Sequence, residues 1–481
     1  MERIEAFLEF AVGLVWGMPL VILLVGTGIL LSALLGGMGG GIQWKAFRHA
    51  IDVVRGKYDD PEDPGEITHF QALTTALSAT VGLGNIAGVA IAIYIGGPGA
   101  TFWMIAAGIV GMATKYAECT LAVKYRRVDE NGVVHGGPMH YIERGLGKQW
   151  KPLAVFFALA AIFASFGAAN MFQANQVASI LEQSFAVPPW VTGVVIGILV
   201  AVVIIGGIKR IGKVTAVLVP LMGGIYIFGA MTVILMNISL VPGLLVQIVT
   251  DAFTGTAATG GFAGVVFREV LVQGVRRAVF SNEAGLGSAP IAHAAATTNE
   301  PAREGSVALL EPFIDTVVIC TMTALVILIS GMWTHEEAVP GVLLTAMAFD
   351  AAIPGFGSWF VPIAVSMFAY STMLSWSYYG ERAVDYLVGG KNETWLLFYK
   401  MVFCIVAVVG AMWTVVPVLN FSDMMLGLMV APNLLAIWLL FPKVREETRD
   451  YFGRLDRGEL EDDIVTSAAH RASRKKEHDV K

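Results

Sequence analysis

Long apolar stretches alternate with short polar ones along the chain. Each apolar stretch runs about as far as a helix needs to cross the hydrocarbon of a bilayer. The pattern predicts about eleven spans, at 11–35, 70–95, 101–123, 153–182, 189–207, 214–236, 259–282, 307–332, 356–386, 396–418 and 423–441. The seventh is the least hydrophobic. The polar segments alternate in charge. Lys45, Arg48, Arg55 and Lys57 lie in the first, and Lys124, Arg126, Arg127, Arg144, Lys148 and Lys151 in the third. Lys209, Arg210 and Lys213 follow in the fifth, Arg303 in the seventh and Lys391 in the ninth, whereas the segments between carry no Lys or Arg. By the positive-inside rule the N-terminus is expected outside and the C-terminus in the cytoplasm.

One span interrupts itself. Residues 78–88 read SATVGLGNIAG, with Gly82, Gly84 and Gly88 beside Asn85 in the middle of an apolar run. Glycine costs a helix interior roughly 1 kcal/mol relative to alanine. Unwound backbone at this depth is tolerated only against protein or a water-filled cavity. Exposed N–H groups there attract a carboxylate, and freed carbonyls attract a hard cation. A small-residue packing face explains Gly84 and Gly88, which are four apart, but explains Gly82 and Asn85 less well. Five spans later the glycine-punctuated, charged stretch 260–290 supplies a second weak point. Two halves of five spans, each opening on an interrupted segment, insert with opposite topology.

Composition agrees. Of 481 residues 56% are hydrophobic and 15% charged, well below the charge of soluble domains. The net charge of −6 carries little information, and no basic domain suggests nucleic acid. Cys119, Cys320 and Cys404 all fall in apolar segments and read as buried thiols. The acidic N-terminus MERIEAFLEF lacks the basic region of a signal peptide. His135 and His140, in HGGPMHYIERGLG, lack evident carboxylate or thiolate partners and read as loop residues of a short interfacial helix. The tail 443–481 mixes both charges and reads as a solvated, partly disordered extension. GIKRIGKV at 207–214 resembles a phosphate-binding loop but ends in Val214 where a hydroxyl is needed. GLGNIA at 82–87 resembles a dinucleotide fingerprint but follows no strand.

Several motifs together carry a resemblance. VGLGN in the first interrupted span, GGPMHYI, NEAGLGSAP and STMLSWSYYGERA at 371–383 are similar to the alanine or glycine:cation symporter family over nearly the whole chain to about residue 442. VGLGN is also similar to the leucine-transporter and neurotransmitter:sodium symporter group. The resemblance implies an all-α polytopic membrane protein with a LeuT-type 5+5 inverted repeat, two broken helices and one extra N-terminal helix. The divisions expected are 1–68, 69–237, 238–442 and the tail 443–481. It implies import of alanine or glycine driven by Na+ as coupling ion, by alternating access, in the cytoplasmic membrane.

The resemblance also implies site residues. The backbone N–H groups of Leu83 and Gly84 are expected to hold the substrate carboxylate, with Thr80 and Gly82 lining the pocket. The carbonyls of Ser78 and Val81 are expected to bind Na+, and Asn85 with the Thr80 carbonyl matches a second Na+ site of some relatives. In the fourth span Phe166 and Gln173 are seven apart and share a helix face, with Asn170 between them. They are read as pocket lining, the alternative being interhelical hydrogen bonds. Ser371 and Thr372 suit the Na+ site. Trp376, four beyond Thr372, leaves room for a small side chain only. Gly274, flanked by Val272 and Gln273, is expected to mark the break of the seventh span, its carbonyls holding the ammonium. Lys115 and Glu118 are expected to pair. Arg268, Glu269, Arg276, Arg277, Glu283, Asp315 and Asp385 are gate, packing or proton-carrying candidates, so H+ coupling competes with Na+. A hydrolase finds no H-E-x-x-H or G-x-S-x-G to support it. A channel fits a broken-span pair less well than a transporter does, and a non-transporting amino-acid sensor stays open.

Overall fold

The computed structural model describes residues 2–36, 41–60, 62–254, 263–335, 341–390 and 393–460. The first residues of the expected seventh span (259–262), Lys391 and the tail beyond 460 lie outside the described residues.

Within these bounds the protein is helical apart from a two-stranded hairpin. An amphipathic helix, α1 (Glu2–Val15), precedes α2 (Met18–Gly36). Gly17 and Pro19 break the run there, so the first expected span begins later than residue 11. A surface helix α3 (Ile42–Val54) leads to α4 (His69–Thr80), whose start is fixed by a reciprocal cap. Thr68 Oγ1 accepts from the Gln71 N–H at 3.2 Å, and Gln71 Oε1 accepts from the Thr68 N–H at 3.1 Å. After a π turn comes α5 (Val89–Gly96), then α6 (Gly99–Tyr125). The hairpin pairs β1 (Arg127–Val128) with β2 (Val134–His135) and is followed by α7 (Pro138–Leu146). Next are α8 (Lys151–Phe166), a second π turn over 167–171, and α9 (Phe172–Phe185). Helices α10 (Pro189–Ile204) and α11 (Gly207–Met236) end the first half.

The second half opens with α12 (Val241–Thr254) and α13 (Ala263–Asn282), then short helices α14 (Ala289–His293), α15 (Pro301–Ala308) and α16 (Leu310–Pro312). A π-wound stretch, Phe313–Cys320, joins α16 to α17 (Thr321–Ser330). Then come α18 (Val342–Ala352), α19 (Gly357–Val388), α20 (Glu393–Met412), α21 (Val415–Leu439) and α22 (Phe441–Asp456). The segments 237–258 and 333–355, read as loops, thus carry α12 and α18. At 14 and 11 residues these are too short to cross a bilayer. The early tail is corrected too: α22 buries Val444, Thr448, Tyr451 and Phe452 on one face, so the segment from 441 to 456 docks rather than trailing in solvent.

Seven helices among the described residues are long and apolar enough to cross a membrane, and eight when the pair bent by 48° at 81–83 counts as one span. The other three expected spans fall outside that test. α10 is short, α6 carries Lys115, Glu118 and Lys124, and α13 carries Arg268, Glu269, Arg276 and Arg277. Phe228, Ile198, Val202 and Ile405, all more than half exposed, fit a lipid-facing perimeter.

Charged groups sink deep between these helices. Glu304 on α15 accepts from His69 Nδ1 and lies 2.5 Å from His293 Nδ1, while His293 Nε2 lies 2.6 Å from Glu311. Lys115 Nζ closes the chain at 3.2 Å from Glu311. The expected Lys115–Glu118 pair does not form. Glu118 accepts from Asn433 Nδ2 at 2.6 Å, because the two side chains leave α6 toward different neighbours.

At the hairpin, the buried imidazole of His135 lies between Asp385 (2.8 Å from Nδ1) and Asp129 (3.3 Å from Nε2). The expectation that it lacks carboxylate neighbours is overturned, since folding brings Asp385 to it from 250 residues away. No cluster of three metal-binding side chains occurs among the described residues. The hydrogen bond to Asp385, aided by Asp129, holds the His135 pKa above its ordinary 6.5. Burial drives His140 down to about 3 and His49 down to about 4, so both stay neutral. A raised imidazole pKa stabilises fully below the unfolded value and loses that contribution as pH rises through the folded one. The difference in thermal midpoint between the protein and His135→Gln is therefore expected to shrink from about pH 6 to about pH 8. A difference independent of pH would show that the imidazolium does not hold the hairpin to α19.

Candidate functional site

The chain breaks helical order where α4 ends, at Val81 (φ −73°, ψ 85°). The freed groups are met by protein. The Gly82 N–H donates to Asn85 Oδ1 at 2.8 Å, and the Leu83 N–H reaches Gln173 Oε1 at 3.4 Å. Asn85 Nδ2 donates to the Asp315 carboxylate at 2.6 Å. The whole stretch is buried, as unwound backbone in a membrane must be.

The second break lies elsewhere than expected. α13 runs unbroken through Val272, Gln273 and Gly274 to Asn282. Gly274 serves close packing instead: a Cβ there would sit 2.6 Å from the Ala100 carbonyl and from Trp103 Cβ on α6. The helix stops at Glu283, whose φ of 59° is left-handed, and Gly285 (91°) and Gly287 (82°) continue the turn. Asn433 Nδ2 meets the Gly285 carbonyl at 2.9 Å, and Asn282 Oδ1 accepts from the Ala284 N–H at the same distance. The two breaks touch, since a Cβ on Gly84 would come within 2.8 Å of Ser281 Cα.

Between them is a small cavity of about 10 Å³. Thr80, Gly82, Gly84, Gln173, Thr372 and Trp376 line it, six of the ten residues expected around a substrate. Ala79, Ala168, Ala169, Phe280, Glu283 and Leu426 complete the wall. Leu83 and Asn85 stand behind it, satisfying backbone and side-chain partners. Phe166 does not reach it. Its ring packs on Tyr399 and Phe403 at centroid distances of 5.4 and 6.2 Å. The π turn over 167–171 inserts extra backbone between Phe166 and Gln173, so residues seven apart no longer share a face. Asn170 takes the interhelical alternative, donating to the Phe403 carbonyl at 2.6 Å.

The expected cation ligands also gather. Ser78 Oγ donates to the Ser371 carbonyl at 2.6 Å, and Ser371 Oγ returns a bond to the Ser78 carbonyl at 3.3 Å. Val81 sits at the break itself. Thr372 Oγ1 faces Gly82 and, like Ser375 Oγ and the Tyr379 hydroxyl, is buried with no hydrogen-bond partner among the described residues. Thr372, Ser375, Trp376 and Tyr379 follow the i, i+3, i+4, i+7 spacing of one face of α19. Idle buried hydroxyls are uncommon in folded proteins, and oxygen atoms are what a hard cation or a polar ligand requires.

Glu283 is the member that the sequence left among gate and packing candidates. Its Oε1 accepts from Trp376 Nε1 at 2.6 Å, and Oε2 accepts from the Ser288 hydroxyl. Both contacts are neutral donors, and among the described residues no basic side chain forms an ion pair with Glu283. Its signal was an ionisable residue at the very end of a span; the missing part was the turn that swings it inward.

The profile of the sodium:alanine symporter family matches residues 1–465. The chain is 45% identical over 445 residues to the sodium/alanine symporter AgcS of Methanococcus maripaludis, covering 91% of this chain and 95% of that protein. It is 42% identical to an uncharacterized transporter of Haemophilus influenzae, covering 96% and 99%. It is 35% identical to the putative sodium/proton-dependent alanine carrier protein YrbD of Bacillus subtilis, covering 91% and 90%. Matched over nearly its full length by a family of carriers, the chain belongs to the sodium:alanine symporter family and is a transporter rather than an enzyme.

Proposed function

We propose that the protein imports a small neutral amino acid, alanine first and glycine next, together with Na+ by alternating access. One observation carries this reading: two unwound backbone segments and one idle hydroxyl face meet at a single buried cavity. With the Gly82 and Leu83 N–H groups taken by Asn85 and Gln173, the Gly84 N–H suits the substrate carboxylate, and the Glu283 carboxylate suits its ammonium. Trp376 and Phe280 leave little room for a side chain. Na+ is held by the carbonyls of Ser78 and Val81 with the oxygens of Ser371 and Thr372. The similarity to AgcS, a sodium/alanine symporter, supports the pairing of Na+ with alanine. The two halves, 69–237 and 238–442, form a LeuT-type inverted repeat of ten spans after one extra helix, a reading supported by one break in each half, at 81–83 and at 283–287. The basic segments face the cytoplasm, with the N-terminus outside. A proton-coupled reading draws on Asp315, a buried carboxylate whose hydrogen bonds come from the neutral groups Asn85, Ser281 and Thr316.

In liposomes an inward Na+ gradient is expected to drive labelled alanine uptake, with K+ substituting poorly. Thr372→Ala is expected to lower this uptake by on the order of tenfold, the worth of one hydrogen-bonding oxygen to a charge. Equal uptake on a proton gradient without Na+ would move the coupling to Asp315 or Glu283.

Gly82→Ala sets a methyl group against Thr372 Oγ1. Alanine binding is expected to fall at least about tenfold, read by equilibrium dialysis, because overpacking of this kind typically costs about 1–3 kcal/mol. Unchanged binding would put the substrate elsewhere. Glu283→Gln keeps the shape and removes the charge. Uptake of alanine is expected to fall by on the order of tenfold or more, whereas wild-type rates would remove Glu283 from ammonium binding.

A further inference from the structure

Folding divides the cations of the third polar segment into two groups. Lys124 pairs with Glu447, and Arg126 donates to the carbonyls of Pro64, Ala294, Ala296 and Thr298. These two hold the fold together. Arg127, Arg144 and Lys151 are left exposed. They line one open cavity of about 350 Å³, bounded by the hairpin, α7, the start of α8 and the end of α19. The Arg127 guanidinium lies beside Gly390, with Nη2 3.7 Å from where a Cβ would stand. Arg144 donates to the Tyr125 carbonyl at 2.9 Å. Among the described residues neither arginine pairs with a carboxylate.

Two carboxylates also line the cavity, and both are engaged. Asp385 lies between His135 and Arg382, whose Nη1 is 3.4 Å away. Glu143 accepts from the Tyr386 hydroxyl at 2.5 Å and stands 3.7 Å from Lys151 Nζ. With Asp385 balanced by Arg382, Glu143 alone faces Arg127, Arg144 and Lys151, so the rim is positive. Guanidinium forks of this kind match the paired oxygens of a phosphate. The cavity opens at the foot of α8, where an apolar stripe begins. Pro152, Phe156, Leu159 and Phe163 are exposed at i, i+4, i+7 and i+11, one face of the helix. Exposed apolar side chains along a span face lipid tails. Phosphate is the chemistry the rim selects, and the stripe rising from it assigns that phosphate to a lipid rather than to a free ion.

We propose that Arg127, Arg144 and Lys151 bind the phosphate of an anionic phospholipid, whose acyl chains lie along Phe156, Leu159 and Phe163 of α8. The head group bridges the hairpin, α7 and the foot of α8. Through His135 and Asp385 the hairpin is already tied to α19. α8 leads by the π turn to Gln173, and α19 carries Thr372 and Trp376. The lipid therefore holds the feet of two helices whose upper parts wall the central cavity. The site stands whatever the cargo is.

Native mass spectrometry of the full-length protein reads bound lipid directly, after titration in detergent with phosphatidylglycerol or with phosphatidylcholine of the same chains. One phosphatidylglycerol is expected to be held about tenfold or more tighter than phosphatidylcholine. Arg127→Gln with Lys151→Gln is expected to remove that preference. Lys209→Gln with Arg210→Gln, which deletes two cations of the fifth polar segment outside this cavity, is expected to leave it unchanged. All four side chains are exposed, where substitution costs little stability. Equal retention of the two lipids by wild type overturns the site. Equal losses in the two double variants overturn it too, since the attraction is then diffuse. Displacement of phosphatidylglycerol by inorganic phosphate at millimolar concentration would give the cavity to a free phosphate and overturn the lipid.

Discussion

A peptide group inside hydrocarbon has no water to turn to, so a span can come unwound only where other protein meets the groups it frees. The arrangement at the centre of this molecule follows from that constraint. At 81–85 the freed N–H groups find Asn85 Oδ1 and Gln173 Oε1. At 283–288 Asn433 and Asn282 serve the same purpose. The unwound segments can satisfy one another's surroundings only if they lie together, and Gly84 against Ser281 gives that contact. The amides that cap the breaks are thus structural first. The polar atoms left over, on Thr372, Ser375 and Glu283, are those available to a ligand.

The same economy governs charge between the two halves of the fold. Lys115, Glu311, His293, Glu304 and His69 form a buried chain in which each acid is shared by two bases. The chain ties α4, the arm below the first break, to α14, the arm below the second. Removing one member would strand a charge, which is far costlier than never burying the pair. The arms below the two breaks are therefore linked to α6 and α15 by electrostatics as well as by packing.

Much of this was legible in the sequence, for identifiable reasons. Apolar run length located the long helices, because crossing a bilayer sets a length that composition cannot disguise. The first break was legible because three glycines and an asparagine have no other good account in a span. The second was not: glycine signals close packing as readily as a break, and Gly274 packs on α6 while Glu283 turns. The stripe of Val444, Thr448, Tyr451 and Phe452 that docks α22 was hidden among charges of both signs. Partners such as His135 with Asp385, or Lys115 with Glu311, lie too far apart in the chain for local spacing to reveal. Around the cavity, Thr80, Gly82, Gln173, Thr372 and Trp376 come together because each sits on an element that the breaks orient. Glu283 and Phe280 needed the path of the chain after α13.

The π turn between α8 and α9 has a further consequence. A wider turn stores backbone that a regular helix would have spent on advancing, and one residue of an α-helix amounts to roughly 100° of rotation. The turn therefore acts as a phase shifter. Below it α8 presents one set of side chains to its neighbours; above it the helix is re-indexed so that Gln173 faces inward and Phe166 faces α20. If the bulge were ironed out, with no residue replaced, α9 would swing its amide away from the Leu83 N–H and close one wall of the cavity with a different side chain. In this carrier, what the fourth span shows the cavity is set by winding as much as by composition.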